Sequence, residues 1–215
     1  MKIARGRELL TPEQRQSFMQ IPEDEWILGT YFTFSNRDLE IVNKRRRDEN
    51  RLGFALQLAV LRYPGWPYTH IKSIPDSVLQ YISKQIGASP SSLDHYPQRE
   101  NTLWDHLKEI RSEYDFVTFT LSEYRMTFKY LHQLALENGD TIHLLHECID
   151  FLRKNKIILP AITTLERMVW KQGRWLKRSY LIQLVDLLQM SKKKNLKRLL
   201  LRSIHPNPIK RYWVG

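Results

Sequence analysis

Arg51-Leu52-Gly53-Phe54-Ala55-Leu56-Gln57-Leu58-Ala59-Val60-Leu61-Arg62 is the stretch on which the fold turns. Between its two arginines the only polar side chain is that of Gln57, so a helix over these residues is apolar almost all round and keeps no face for water. Such a helix lies at the buried centre of a bundle, and Pro64-Gly65 ends it sharply. Upstream, Ser35 with Asp38 three residues on marks a helix start, and the pattern runs from Leu39 through Val42 into the basic cluster Lys44-Arg45-Arg46-Arg47. Further upstream, Thr11-Pro12-Glu13 places an N-cap before a proline at the first helical position, opening a short helix that ends before Ile21-Pro22.

Downstream, Pro75, Asp76 and the stripe Val78, Leu79, Ile82, Ile86 predict a helix closed by Gly87. Ser89-Pro90 starts a short one three residues later, a tight helix-turn-helix-like corner. A helix carrying Leu103, Leu107 and Ile110 runs to about Tyr114, and residues 115–120 are a candidate module boundary. Thr120 and Glu123 form a capping-box pattern for the stripe Leu121, Tyr124, Phe128, Leu131, Ala135. The next helix starts near Asp140, buries Ile142, Leu145, Ile149 and Leu152, and ends around Asn155. Thr163 and Glu166 repeat the capping-box pattern and launch a helix past Tyr180. Alternating β-branched runs bounded by hairpin turns do not occur. The expected architecture is all-α, two helical modules with helix-turn-helix-like DNA-binding elements: residues 1–116, then 117–190 with a recognition helix at about 163–178, then a basic C-terminal tail, 191–215.

The 215 residues carry a net charge of +11, a balance suited to an anionic partner such as nucleic acid or an acidic membrane surface. The excess is local: residues 151–215 hold 16 Lys and Arg against 2 Asp and Glu, and residues 101–150 hold 4 against 9. At 100° per residue, Arg167, Lys171, Arg174 and Arg178 fall within roughly 60° of one another. Leu165, Val169 and Leu176 cluster about opposite, so a helix packed by its apolar side turns four cations outward. In helix-turn-helix geometry Thr163, Thr164 and Arg167 then approach bases, while Lys171, Arg174, Lys177 and Arg178 meet phosphates. A merely solvated basic face is the alternative reading. Arg45, Arg46, Arg47 and Arg51 form a second candidate phosphate contact, with Asp48 and Glu49 inside the cluster able to neutralise it. The hydroxyls of Ser89, Ser91 and Ser92 offer either a phosphate contact or simple capping.

Catalytic and metal chemistry lack residues. His143 and His146 stand three apart with no HExxH arrangement, and Cys148, the single cysteine, sits among core positions. No glycine-rich phosphate loop or GxSxG elbow occurs. We therefore expect no catalytic residue, no metal and no cofactor. Trp66, Trp104, Trp170 and Trp175 are read as core or interface packing, with DNA backbone or base contact as the alternative for Trp170 and Trp175, which border the basic face. The start MKIARGRELLTPEQ lacks the apolar core of a signal peptide, and no stretch approaches the roughly 20 apolar residues needed to cross a bilayer. The expectation is a cytoplasmic, DNA-associated bacterial protein with no membrane partner.

Several segments resemble the N-terminal region of Tn-three-type replicative transposases. They are Leu10-Thr11-Pro12-Glu13-Gln14-Arg15; Asn50 to Leu58 with Leu61-Arg62-Tyr63-Pro64-Gly65; Arg99, Glu100, Thr102, His106 and Leu107; and Leu159-Pro160-Ala161 with Thr163-Thr164-Leu165-Glu166-Arg167. The similarity covers roughly residues 8 to 190 and departs from the pattern after about Met190, where Lys192-Lys193-Lys194 leads to Ile204-His205-Pro206-Asn207-Pro208. The resemblance implies a helical, bipartite region that recognises double-stranded DNA at the transposon's terminal inverted repeats. It also implies that the Asp/Asp/Glu strand-transfer site lies far downstream, so that this chain binds without cutting. Its partners would be inverted-repeat DNA, with a second copy or the remainder of the transposase. The rival expectation is a helical protein-interaction or dimerisation module of a transposition protein.

Overall fold

The computed structural model describes residues 9–96, 100–175, 185, 186, 188 and 189. Among them it is all-α, with no strand. The described residues up to Gln172 form one compact unit and those from Gly173 a second. The first unit contains α1 (Pro12–Met19), α2 (Glu25–Tyr31), α3 (Asn36–Asn43), α4 (Asp48–Arg62), α5 (Asp76–Ile86), α6 (Glu100–Tyr114), α7 (Leu121–Glu137) and α8 (Thr141–Lys154). It closes with α9, residues 162–172.

The predicted central helix is central. Leu52, Phe54, Ala55, Leu56, Leu58, Ala59 and Val60 of α4 are all fully buried. Helices α3, α5 and α6 pack around α4, together with a 3-10 turn at Pro90–His95. The start expected at Ser89-Pro90 is therefore that 3-10 turn, and it packs on α4 instead of opening an α-helix. Thr120 closes the expected capping box, and the helix starts expected at Thr11 and Ser35 prove to be capping boxes as well. Gly87 ends α5 in the left-handed region at φ 65°.

Gly53 has a close-approach role. A Cβ built on it would lie 2.4 Å from the ring of Tyr96, so the ring rests directly on the α4 backbone. One turn on, Gln57 Nε2 donates to the Tyr96 hydroxyl at 2.6 Å, and that hydroxyl lies 3.0 Å from His106 Nδ1. The tyrosine oxygen accepts from Gln57 and keeps its own proton to donate, an arrangement that suits a neutral His106 accepting at Nδ1. Burial, seconded by the charge of Arg45, pushes His106 down to about 4.

A histidine whose folded value is depressed stabilises the fold fully above its unfolded value of about 6.5, and that contribution is lost as pH falls toward 4. Acidification from pH 7 to about 4.5 is expected to remove about 2 kcal/mol through this residue alone. Urea midpoints at the two pH values, compared between the wild type and His106→Gln, isolate the contribution. Equal pH slopes in both proteins would assign the acid sensitivity elsewhere.

Asp115 turns the chain in the left-handed region at φ 60°, and the segment after it is tied to another part of the unit. Val117 forms a parallel bridge with Ile157, through Val117 N to the Lys156 carbonyl and Ile158 N to the Val117 carbonyl, each 2.9 Å. The hairpin of α7 and α8 buries Thr127, Leu131, Ala135, Leu144, Leu145, Cys148, Ile149 and Leu152. Two expected core residues differ: Leu121 is 62% exposed and Ile142 38% exposed. Both occupy the first turn of their helix. Trp66 closes the unit from below, fully buried, with its indole N–H donating to the Pro160 carbonyl at 2.9 Å.

Candidate nucleic-acid interface

Helix α9 is amphipathic in the sense that its sequence predicts. Ile162, Leu165, Met168, Val169 and Gln172 are buried, whereas Thr163, Arg167 and Lys171 are exposed and Thr164 is half-buried. Gln172 anchors the end of the helix, its side-chain amide donating to the Phe128 carbonyl at 2.7 Å.

The helix start differs from the expected capping box. Helicity begins at 162, and Thr164 N donates to the Ala161 carbonyl at 2.8 Å. Glu166 is not free to reach back to Thr163. It is buried and accepts from Arg15 Nε at 2.8 Å, Arg15 NH2 at 3.2 Å and the Leu10 backbone N–H at 3.0 Å. This long-range pairing removes the one acidic side chain of α9 from the surface, something spacing alone could not reveal. Arg167 lies along its own first turn, donating to the Thr163 carbonyl at 3.1 Å and to Thr164 Oγ1 at 3.4 Å. Lys171 Nζ sits 5.8 Å from the centroid of the Tyr124 ring, a cation–π placement that steadies the ammonium while leaving it open to water.

In the second unit, residues 173–175 are helical and Arg174 and Trp175 are exposed. Lys177 and Arg178 lie outside the described residues, as do Leu176 and the tail from 191.

The second candidate cluster is divided. Arg45 is an interior residue: its side chain is 9% exposed, pairs with Glu109 at 2.5 Å, stacks 3.4 Å from the centre of the Phe54 ring and donates to the Ile41 carbonyl. Arg51 pairs with Asp48 at 2.5 Å, and Arg47 approaches Glu49 at 3.6 Å. Arg46 and Lys44 are exposed in the turn between α3 and α4. The carboxylates within the cluster thus engage two of its arginines, and a distant one, Glu109, engages the third. Ser89 and Ser91 are bonded to each other at 2.8 Å.

Among the described residues no group of three or more His, Cys, Asp or Glu side chains could hold a metal ion. His146 packs against Phe18 with ring centroids 4.8 Å apart. Cys148 is buried, and that burial pushes its thiol up to about 12. No helix among the described residues is long and apolar enough to cross a membrane. Trp104 is 65% exposed rather than packed, and it borders a cleft lined by Gln57, Tyr68, Leu103 and Leu107.

Comparison with known sequences adds a family. Residues 9–172 match the model of a domain of unknown function, DUF4158, and that match ends where the first compact unit ends. The transposase for transposon Tn1546 of Enterococcus faecium is 95% identical over 171 residues, which is 80% of this chain and 17% of that protein. The transposase for transposon Tn501 of Pseudomonas aeruginosa is 34% identical over 161 residues, 75% of this chain and 16% of that protein. The gamma-delta transposase of Escherichia coli strain K12 is 29% identical over 169 residues, 75% of this chain and 17% of that protein. The chain thus spans about one sixth of the length of these relatives.

Proposed function

The chain belongs to the DUF4158 family and corresponds to the N-terminal part of Tn-three-family transposases, and from that premise we propose that it binds double-stranded DNA sequence-selectively at transposon terminal inverted repeats. Helix α9 is the recognition helix. Thr163, Thr164 and Arg167 face base edges, and Lys171 meets phosphate; the sequence periodicity extends the same face to Arg174 and Arg178, and Lys177 beside it is a further phosphate contact. In the first of the two expected modules, 1–116, Arg46 is the cation best disposed for phosphate. Arg45, Arg47 and Arg51 contribute less, since each must first leave a carboxylate. Strand cleavage belongs to the part of the relatives beyond the sixth matched here.

One observation carries this reading. The only acidic residue of α9 is turned inward to Arg15, while its cations are turned outward. A surface selected merely for solubility has no need to bury a carboxylate in order to keep one helical face purely cationic.

Fluorescence anisotropy across a salt series tests it. If four to eight cations meet phosphate, log K falls against log salt with a slope of about four to seven. Lys171→Ala is expected to weaken inverted-repeat and random DNA alike, whereas Arg167→Ala also relaxes sequence preference, by about 1–3 kcal/mol at one position. A flat salt response, or unchanged binding in both variants, would remove α9 from the interface. A second reading, a protein-docking module, draws on exposed Trp104 beside its cleft. Sizing the free protein with and without Trp104→Ala separates it from DNA binding.

A further inference from the structure

Helix α9 does not stand alone on the surface, and the way it packs on α7 decides which neighbour shares its exposed side. Three successive i, i+4 stripes run along α7: Thr127, Leu131 and Ala135; Tyr124, Phe128 and His132; Arg125 and Lys129. The first is buried. The second is the line of contact with α9, through Gln172 to the Phe128 carbonyl at 2.7 Å, Gln172 to His132 Nδ1 at 3.4 Å and Lys171 against the Tyr124 ring. The third is exposed.

Helix α9 repeats this order. Leu165, Met168 and Val169 are fully buried, Gln172 makes the contact, and Arg167 and Lys171 are exposed. The buried stripes of both helices face the interior of the same unit, so the stripes on the far side of the contact line face outward together. Arg125 and Lys129 therefore flank Arg167 and Lys171 on one surface. Neither Arg125 nor Lys129 is held by a carboxylate among the described residues. The opposite flank of α9 is closed by the Glu166 bonds to Arg15 and Leu10.

We propose that α7 is the second rail of the DNA site, with Arg125 and Lys129 binding backbone phosphates beside the groove that α9 enters. The inference rests on the reading of α9 as the recognition helix. An α-helix fills a major groove roughly 12 Å wide, and a neighbour packed about 8–10 Å from its axis rides over the flanking sugar-phosphate backbone. Two cations one turn apart on that neighbour, roughly 6 Å along its axis, reach phosphates of the flanking strand without touching a base. They set affinity and orientation and carry no sequence information.

The test uses the full chain with two short duplexes, one carrying the transposon end and one of random sequence. For R125A/K129A, affinity for both duplexes is expected to fall at least about tenfold at moderate salt. The salt slope should drop by about 1.8, and the preference between the duplexes should stay unchanged. The charge-keeping R125K/K129R should bind as the wild type does, and K108A/R111A, which removes an equally exposed pair from α6, should also leave binding unchanged. If R125A/K129A binds with the wild-type slope while the wild type itself is steeply salt-dependent, the α7 rail is overturned and the α9 reading stands. If the wild type shows no salt-dependent binding, both fall. An equal loss in K108A/R111A would reduce the effect to net charge and also overturn the placement.

Discussion

Gly53→Ala is expected to lower the stability of the first unit by about 3 kcal/mol, which for a unit of this size is a fall of roughly 9 °C in Tm. Helix propensity predicts the reverse, since alanine in a helix interior gains about 1 kcal/mol over glycine. The added methyl would lie 2.4 Å from three carbons of the Tyr96 ring. The ring cannot retreat easily, because its hydroxyl is held by Gln57 and lies against His106, and its face is stacked on the His106 ring at 5.7 Å. The clash therefore forces either α4 or the Pro90–His95 turn to move. Calorimetry on Gly53→Ala, Tyr96→Ala and the double variant checks the mechanism. Truncating Tyr96 removes the obstacle, so the double variant should be less destabilised than the sum of the singles. Additive losses would mean that Gly53 matters for some reason other than this contact.

Glu166→Ala is the second large effect, expected at about 3 kcal/mol together with loss of DNA binding. The carboxylate is buried and satisfies Arg15 through two hydrogen bonds and the Leu10 N–H through a third. Removing the carboxylate takes two hydrogen bonds from Arg15 and leaves the buried Leu10 N–H without its acceptor. Arg15 is only 20% exposed in its side chain, so water recovers part of the loss and not all. Because these bonds tie α1 and Leu10 before it to the flank of α9, their rupture frees α9 to tilt. Gln in place of Glu separates charge from shape: Glu166→Gln keeps an acceptor for the Leu10 N–H and should recover part of the stability. Urea unfolding and anisotropy read side by side decide the matter. Full DNA affinity in a folded Glu166→Ala protein would show that the orientation of α9 does not depend on this pair.

How much of this was legible in advance differs from element to element. Helix α4 was, because an almost unbroken apolar run with helix stops after it has a single low-energy home. The helix starts at Thr11 and Ser35 and the capping box at Thr120 were, because each rests on residues within three positions and needs nothing else. At Thr163 the same local pattern misled, since a half-buried arginine from 151 residues earlier in the chain competes for Glu166 and wins. Arg45 reads in sequence as one of a row of surface cations, yet Phe54 and Glu109 take it inside. Arg125 and Lys129 drew no notice, because two cations one turn apart on an ordinary amphipathic helix look like solvated surface until the neighbour is known. The glycine and glutamine of the central stretch were visible as a motif, but their common purpose, a seat for Tyr96, was not.

By itself, then, the sequence determined the helical class, the buried status of 52–61, most helix ends and the exposure of Arg167 and Lys171. Each of these depends on periodicity or on contacts within four residues. The tertiary structure alone decided which charges stay at the surface, which helix stands beside α9 and why position 53 has no side chain. Those outcomes are set by contacts between segments tens of residues apart, where burial makes an ion pair or a ring stack outweigh the solvation that the local pattern would otherwise predict.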